Sequence, residues 1–254
     1  FSDEFCSFNS WKGLLHLPWY ESINKWRQTR KAKDLIPPRE VSLDLISACQ
    51  LHCQHCNFGK YLQAPQTNRM EDKHIINLVK FLARWGVKAI CAGGGGESTL
   101  HTKLWDALLL SYALGLENSI ATNGINFNDK TIEIAINTCR WIGVSVDSVS
   151  SKTYSTGRRG DYFNTVIENI SKMCDKVKKT KKHCDISYKF LIFSYNQHEI
   201  FDACKLAKSL GVRDYHCRPA NYSHQGMEDR KTINPYNIDL IKEQFEKCHE
   251  LADE

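Results

Sequence analysis

Cys49-Gln-Leu-His-Cys53-Gln-His-Cys56 puts three thiols and two imidazoles into eight residues. Thiols separated by three and then two residues can reach a common centre from one loop. Four chemistries use such a group: a zinc clip, a disulfide knot, a thiol redox pair, or three corners of an iron–sulfur cluster. Structural zinc takes four ligands. His52 or His55 could add the fourth, but a closed set over so short a span is cramped and no second ligand pair follows. A redox Cys-x-x-Cys belongs to a thioredoxin-like context, which Cys53–Cys56 lacks. A cubane has four irons, so three thiolates leave one iron open to a small molecule.

Working outward, Val41–Ile46 alternates like a strand just before the thiols. Lys73–Trp85 then carries Ile75, Val79 and Leu82 at helical spacing. The rhythm repeats: strands over Val87–Cys91, Ser119–Thr122, Arg140–Val146, Ile186–Phe193 and Val212–Cys217; helices over Leu104–Leu114, Asp129–Asn137 (with Asn128 as N-cap), Phe163–Val177 and Glu199–Leu210. Alternation of this kind predicts α/β architecture with parallel strands covered by helices. An open doubly wound sheet and a barrel both satisfy the pattern. In either, loops at the C-terminal ends of strands form the reactive face. The unusual residues sit there: the three thiols, then a glycine run, Asn123-Gly124, Asp147, Asn196 and Arg218.

Around this core, residues 1–40 hold a helical covering segment, with a helix over Trp19–Lys31 that stops before Pro37-Pro38. Residues 41–220 form the main domain. Residues 221–254 hold a loop and a helix capped by Asn234 with Pro235 at its first turn, packed on the core or opening an accessory region. The chain starts at Phe1, so sequence ahead of it is expected.

The composition, 42% apolar and 25% charged over 254 residues, is that of a globular enzyme-like chain. No apolar run is long enough to cross a bilayer, and no signal peptide is expected. A net charge of +5 is too small and too dispersed for a nucleic-acid footprint. The lysine-rich run Lys172–Lys182 reads as a solvated helix face. Eleven cysteines in a chain with ample apolar sequence favour a reducing compartment, hence cytoplasm, over a disulfide framework. Cys91, Cys139, Cys184 and Cys204 read as small buried hydrophobes.

The Cys-x3-Cys-x2-Cys stretch after a first strand resembles the signature of the radical S-adenosylmethionine (radical SAM) superfamily, closest to its SPASM/twitch-like or molybdenum-cofactor-synthesis-like branches. His55 stands where that signature has an aromatic residue. Ala92-Gly-Gly-Gly-Gly-Glu97-Ser resembles the family's Gly-Gly-Glu segment, with Ser98 in place of the usual proline. The resemblance implies a partial (β/α)6 barrel. It implies a [4Fe–4S] cluster on Cys49, Cys53 and Cys56, and S-adenosylmethionine bound by Gly94, Gly95, Gly96, Glu97, Asn123, Ser145, Asp147, Arg159, Asn196 and Arg218. Arg218 is a candidate for cosubstrate or substrate. It further implies an oxidoreductase that forms a 5′-deoxyadenosyl radical, a low-potential donor such as flavodoxin or ferredoxin, and a small-molecule or peptide substrate. Cys217 could supply a hydrogen atom or be a buried structural thiol. The competing reading is a binding module with zinc on the three thiols and one histidine, meeting nucleic acid or protein.

Overall fold

The computed structural model describes residues 16–62, 68–220 and 236–252. Helix α1 (His16–Thr29) precedes β1 (Glu40–Leu43), the Cys49–Cys56 loop and a single turn, α2 (Gly59–Leu62). There follow α3 (Asp72–Trp85), β2 (Ala89–Ala92), α4 (Leu104–Ala113), β3 (Glu117–Thr122), α5 (Asp129–Thr138) and β4 (Cys139–Ser145). The chain continues through α6 (Ser151–Arg158), α7 (Phe163–Thr180), β5 (Asp185–Ile192), α8 (Ile200–Leu210), β6 (Asp214–Pro219) and α9 (Ile238–Ala252). The strands pair in parallel in the order β1-β2-β3-β4-β5-β6. Sequential order with helical crossovers is barrel winding rather than doubly wound topology, and six units leave the barrel open.

One face of most strands is apolar and lies under the helices, while on β3 that face also carries Asn118 and Thr122 beside Ile120. Ile142 and Val144 of β4 and Ile186, Tyr188 and Phe190 of β5 are fully buried there with Val166, Ile170 and Met173 of α7. The alternate residues Trp141, Ser145, Lys189 and Leu191 are only partly buried. Side chains alternate faces along a strand, so these residues line the barrel interior. Both the strand ends and this lining are thereby presented to one cavity side of the sheet.

Several predicted boundaries shift for local reasons. Strand β1 ends at Leu43 rather than Ile46. Asp44 instead accepts the Gly95 N–H through Oδ1 at 3.1 Å, and Ile46 makes an isolated antiparallel bridge to Arg69. The strand expected from Val87 starts at Ala89 because the Val87 N–H closes the end of α3 on Leu82, around the left-handed Gly86. Helix α6 is hidden in the sequence, because Ser-Lys-Thr-Tyr-Ser-Thr-Gly-Arg is rich in poor helix formers. It is started by Ser150, whose Oγ accepts the Thr153 N–H at 3.2 Å. The proposed Asn234 cap and Pro235 lie outside the described residues. Cys139 and Cys184 are buried as expected, whereas Cys91 and Cys204 are half-buried.

Candidate active site

The loop that carries the three thiols is fastened from four directions. From β2, the Glu97 N–H donates to the Ala48 carbonyl at 2.8 Å. The glycine run makes this approach possible. A Cβ on Gly96 would run into the carbonyl oxygens of Ile46 and Ala48, and one on Gly94 into the Asp44 carboxylate. Replacing Gly96 by alanine should therefore displace the loop and cost about 1–3 kcal/mol of stability. Urea unfolding of the metal-free chain reads this directly, and an unchanged midpoint would contradict the packing described.

From β3, Asn123 Nδ2 reaches Gln50 Oε1 at 3.0 Å and Cys49 Sγ at 3.6 Å. Its main-chain N–H in turn donates to Glu97 Oε2 at 2.7 Å. Glu97 is almost wholly buried, and its other oxygen accepts Thr99 Oγ1 at 2.7 Å and Thr122 Oγ1 at 2.8 Å. Its carboxylate thus ties the ends of β2 and β3 together, and Oε2 retains acceptor capacity.

From α6, the Gly157 carbonyl accepts the Gln54 N–H at 3.1 Å. Arg158 projects back from the same turn. Its guanidinium forms a buried ion pair with Asp147, and Nη1 lies 3.8 Å from Cys53 Sγ. Burial alone disfavours the Arg158 charge, but Asp147 and Cys53 outweigh it and hold the group protonated. Burial likewise opposes the Asp147 charge, and Arg158 and His55 overcome it, so the carboxyl stays ionised below its usual range.

From the ends of β4 and β5, Asp147 Oδ2 lies 3.5 Å from His55 Nε2, and Phe193 packs on the His55 ring with centroids 4.3 Å apart. Burial pushes the His55 pKa down, leaving a neutral imidazole that fills the expected aromatic place. Asp147 has a φ of 61°, a left-handed conformation that Asp tolerates. It is locked there by the Leu191 N–H to Oδ1 at 2.7 Å and by Asn196 Nδ2 to its carbonyl at 2.8 Å.

Of the residues expected here, the structure gathers Cys49, Cys53, Cys56, Gly94, Gly95, Gly96, Glu97, Asn123, Asp147 and Asn196 at one set of strand ends. Asn196 is fully buried and spends its carboxamide on Phe193, Leu191 and Asp147. Ser145 and Arg218 face the barrel interior at the ends of β4 and β6. Arg159 is exposed at the left-handed end of α6, while its neighbour Arg158 is the arginine on the thiol loop. Cys217 is half-buried and packs beside Tyr215 on the helix-facing side of β6.

Burial pushes Cys49 up to about 11 and raises Cys56, with the neighbouring Cys53 adding to both. Among the described residues no three His, Cys, Asp or Glu side chains are gathered as a single ion requires. A zinc clip would need its thiolates within about 3.8 Å of one another, from tetrahedral Zn–S bonds of about 2.3 Å. The surroundings of the three thiols suit a sulfur-bridged group. Leu51 N–H and Asn123 Nδ2 already point at Cys49 Sγ, and Arg158 at Cys53 Sγ. Two buried polar atoms of the same pocket, His55 Nδ1 and Arg158 Nε, have no partner among the described residues. N–H donors toward sulfur and nearby positive charge are the means by which proteins tune iron–sulfur clusters.

The Radical SAM superfamily profile matches residues 43–191, more than half of the chain. The chain belongs to the radical SAM superfamily. As a radical SAM enzyme it uses a [4Fe–4S] cluster and S-adenosylmethionine. Among curated proteins it is similar to an S-adenosylmethionine-dependent nucleotide dehydratase of Flammeovirga pacifica, 26% identical over 149 residues, 54% of this chain and 50% of that protein. It is also similar to a probable GTP 3′,8-cyclase of Pyrococcus abyssi, 23% identical over 172 residues, 67% of this chain and 53% of that protein. The chain thus spans about half the length of the curated relatives it matches. Among solved structures, Streptococcus suis SuiB bound to S-adenosylmethionine superposes with a TM-score of 0.68 at 14% identity, over 91% of this chain and 51% of SuiB. The anSMEcpe structure with bound AdoMet gives 0.64 at 18% identity, over 83% and 60%. These likenesses establish the radical SAM partial barrel. No helix among the described residues is long and apolar enough to cross a membrane.

Proposed function

We propose that Cys49, Cys53 and Cys56 hold a [4Fe–4S] cluster by three irons, and that the chain reductively cleaves S-adenosylmethionine to abstract hydrogen from a small-molecule or peptide substrate. The observation that supports this best is the convergence on the three-thiol loop of groups from β2, β3, α6 and the ends of β4 and β5. When bound, the reduced cluster supplies one electron to the sulfonium–carbon bond, yielding methionine and a 5′-deoxyadenosyl radical. The protein's part is placement and exclusion of water. Arg158 offers positive charge to the Cys53 sulfur, and Asn123 orients the Cys49 sulfur. Glu97 binds the two strand ends and has one acceptor site for the cosubstrate's ammonium. Gly94, Gly95 and Gly96 bring main chain close to the ligand. Ser145 and Arg218 line the interior where cosubstrate and substrate meet; Asp147 and Asn196 position Arg158 and the β5 end.

The low potentials open to such clusters, reaching roughly −700 mV, call for a flavodoxin- or ferredoxin-like donor. The substrate class rests on two supports: relatives named for nucleotide chemistry, and a SuiB structure bound to its precursor peptide SuiA. Anaerobic reconstitution tests the proposal. The expected product is brown protein with about four irons per chain that forms 5′-deoxyadenosine and methionine when given dithionite and cosubstrate. Colourless protein carrying one zinc, with no deoxyadenosine, would overturn it in favour of the zinc-stabilised binding module.

A further inference from the structure

The barrel interior below the strand ends has a charge pattern that the thiol loop does not use. On β1 to β4 several interior positions are small: Ser42, Cys91 and Ser119 lie side by side in register, ending against Trp141, and Ala121 and Gly143 pair one step nearer the strand ends. On β5 and β6 the carboxylates Asp185 and Asp214 stand at the strand starts, and Lys189, His216 and Arg218 lie nearer the reactive ends. Lys189 is in register with His216, and Leu191 with Arg218, so Lys189 and Arg218 are diagonal neighbours on one face. Of the nearby carboxylates, Asp147 pairs with Arg158, and Asp214, at the far end of β6, accepts Ser187 Oγ at 2.6 Å. Neither Lys189 nor Arg218 has an ion-pair partner among the described residues.

Trp141 forms the adjoining wall. Its indole lies so close over Gly143 that a Cβ there would meet the ring carbons, and Lys189 Nζ sits 5.6 Å from its centroid. Burial, followed by repulsion from Arg218, lowers the Lys189 pKa. Burial and the second cation disfavour the Lys189 charge, and the indole face and Asp147 offset them only in part. An arriving anion removes that penalty.

We propose that Trp141, Lys189 and Arg218 form the substrate subsite and that the substrate is a nucleoside phosphate, its phosphates on the two cations and its ring against Trp141. This deepens the radical SAM reading above by naming the substrate class of the same cavity. Equilibrium dialysis of the reconstituted chain, with S-adenosylmethionine present, measures binding of GTP, CTP, guanosine, tripolyphosphate and hexaglutamate. Expected are binding of the triphosphates and a loss of about 10- to 100-fold in each of Lys189→Gln and Arg218→Gln, the usual worth of a charged hydrogen bond. Trp141→Leu should weaken nucleotide binding but leave tripolyphosphate binding intact. Because Lys189→Gln removes an unpaired, partly buried charge, it should melt at or above the parent temperature.

Nucleotide affinities within twofold of the parent in both cation variants would overturn the proposal. So would tighter binding of hexaglutamate than of nucleotide, weakened S-adenosylmethionine binding in Arg218→Gln, or a lower melting temperature for Lys189→Gln. Deoxyadenosine is measured in the same samples. Turnover without nucleotide binding sinks the subsite and leaves the enzymatic reading standing; nucleotide binding without deoxyadenosine does the reverse.

Discussion

Changing Cys53 to alanine is expected to abolish deoxyadenosine formation while leaving the metal-free chain folded. The thiol is only half-buried and belongs to a loop outside the helix-covered core. Its removal therefore creates no large cavity. For turnover the effect should exceed the roughly 10- to 100-fold typical of losing an outer partner of a metal ligand, because a corner of the cluster itself goes. Iron content should fall in parallel, and Cys49→Ala and Cys56→Ala should behave alike. The measurement is product formation per chain after anaerobic reconstitution, with circular dichroism as the folding control. Turnover at more than a tenth of the parent in any one of the three would show that the loop does not hold the cluster as proposed.

The second large effect is on stability. Arg158→Met leaves Asp147 charged, buried and without its guanidinium, and breaking a buried pair in this way typically costs about 3–5 kcal/mol. Asp147→Asn added to it should recover most of that loss, since Asn tolerates the left-handed φ of 61° and leaves no stranded charge. Urea midpoints of the metal-free parent, Arg158→Met, Asp147→Asn and the double variant form the required cycle. Arg158→Met within 1 kcal/mol of the parent would mean that the pair does not organise the pocket. The same variant should also retain less iron, because Cys53 loses the only guanidinium in contact with it among the described residues.

Much of this arrangement was legible in the sequence because two periodicities alternate cleanly. Ile75, Val79 and Leu82 repeat at helical spacing in α3, and Ile186, Tyr188, Phe190 and Ile192 alternate in β5. Glycine and asparagine mark the strand ends where polar chemistry belongs. The choice between Arg158 and Arg159 was not legible. Two adjacent arginines differ only in which side of a helix they occupy, and α6 is built from serine, threonine and glycine, whose composition conceals it. The role of Asp147 was half visible: its place after β4 was plain, but a polar residue at a strand end can face a ligand or an internal partner. Here the partner lies eleven residues on, in the helix that went unseen. Lys189 and Trp141 escaped notice because, in a strand, inward and outward positions are told apart only by what covers each face.

The contact between Arg158 and Cys53 spans 105 residues of chain. A ribosome adding about 5–20 residues per second needs about 5–20 s to pass from one to the other. Throughout that interval a nascent chain exposes its three thiols without the guanidinium, the Gly157 tether or the Phe193 cover. A chain stalled within that interval would present an oxidisable, unguarded trio of sulfurs.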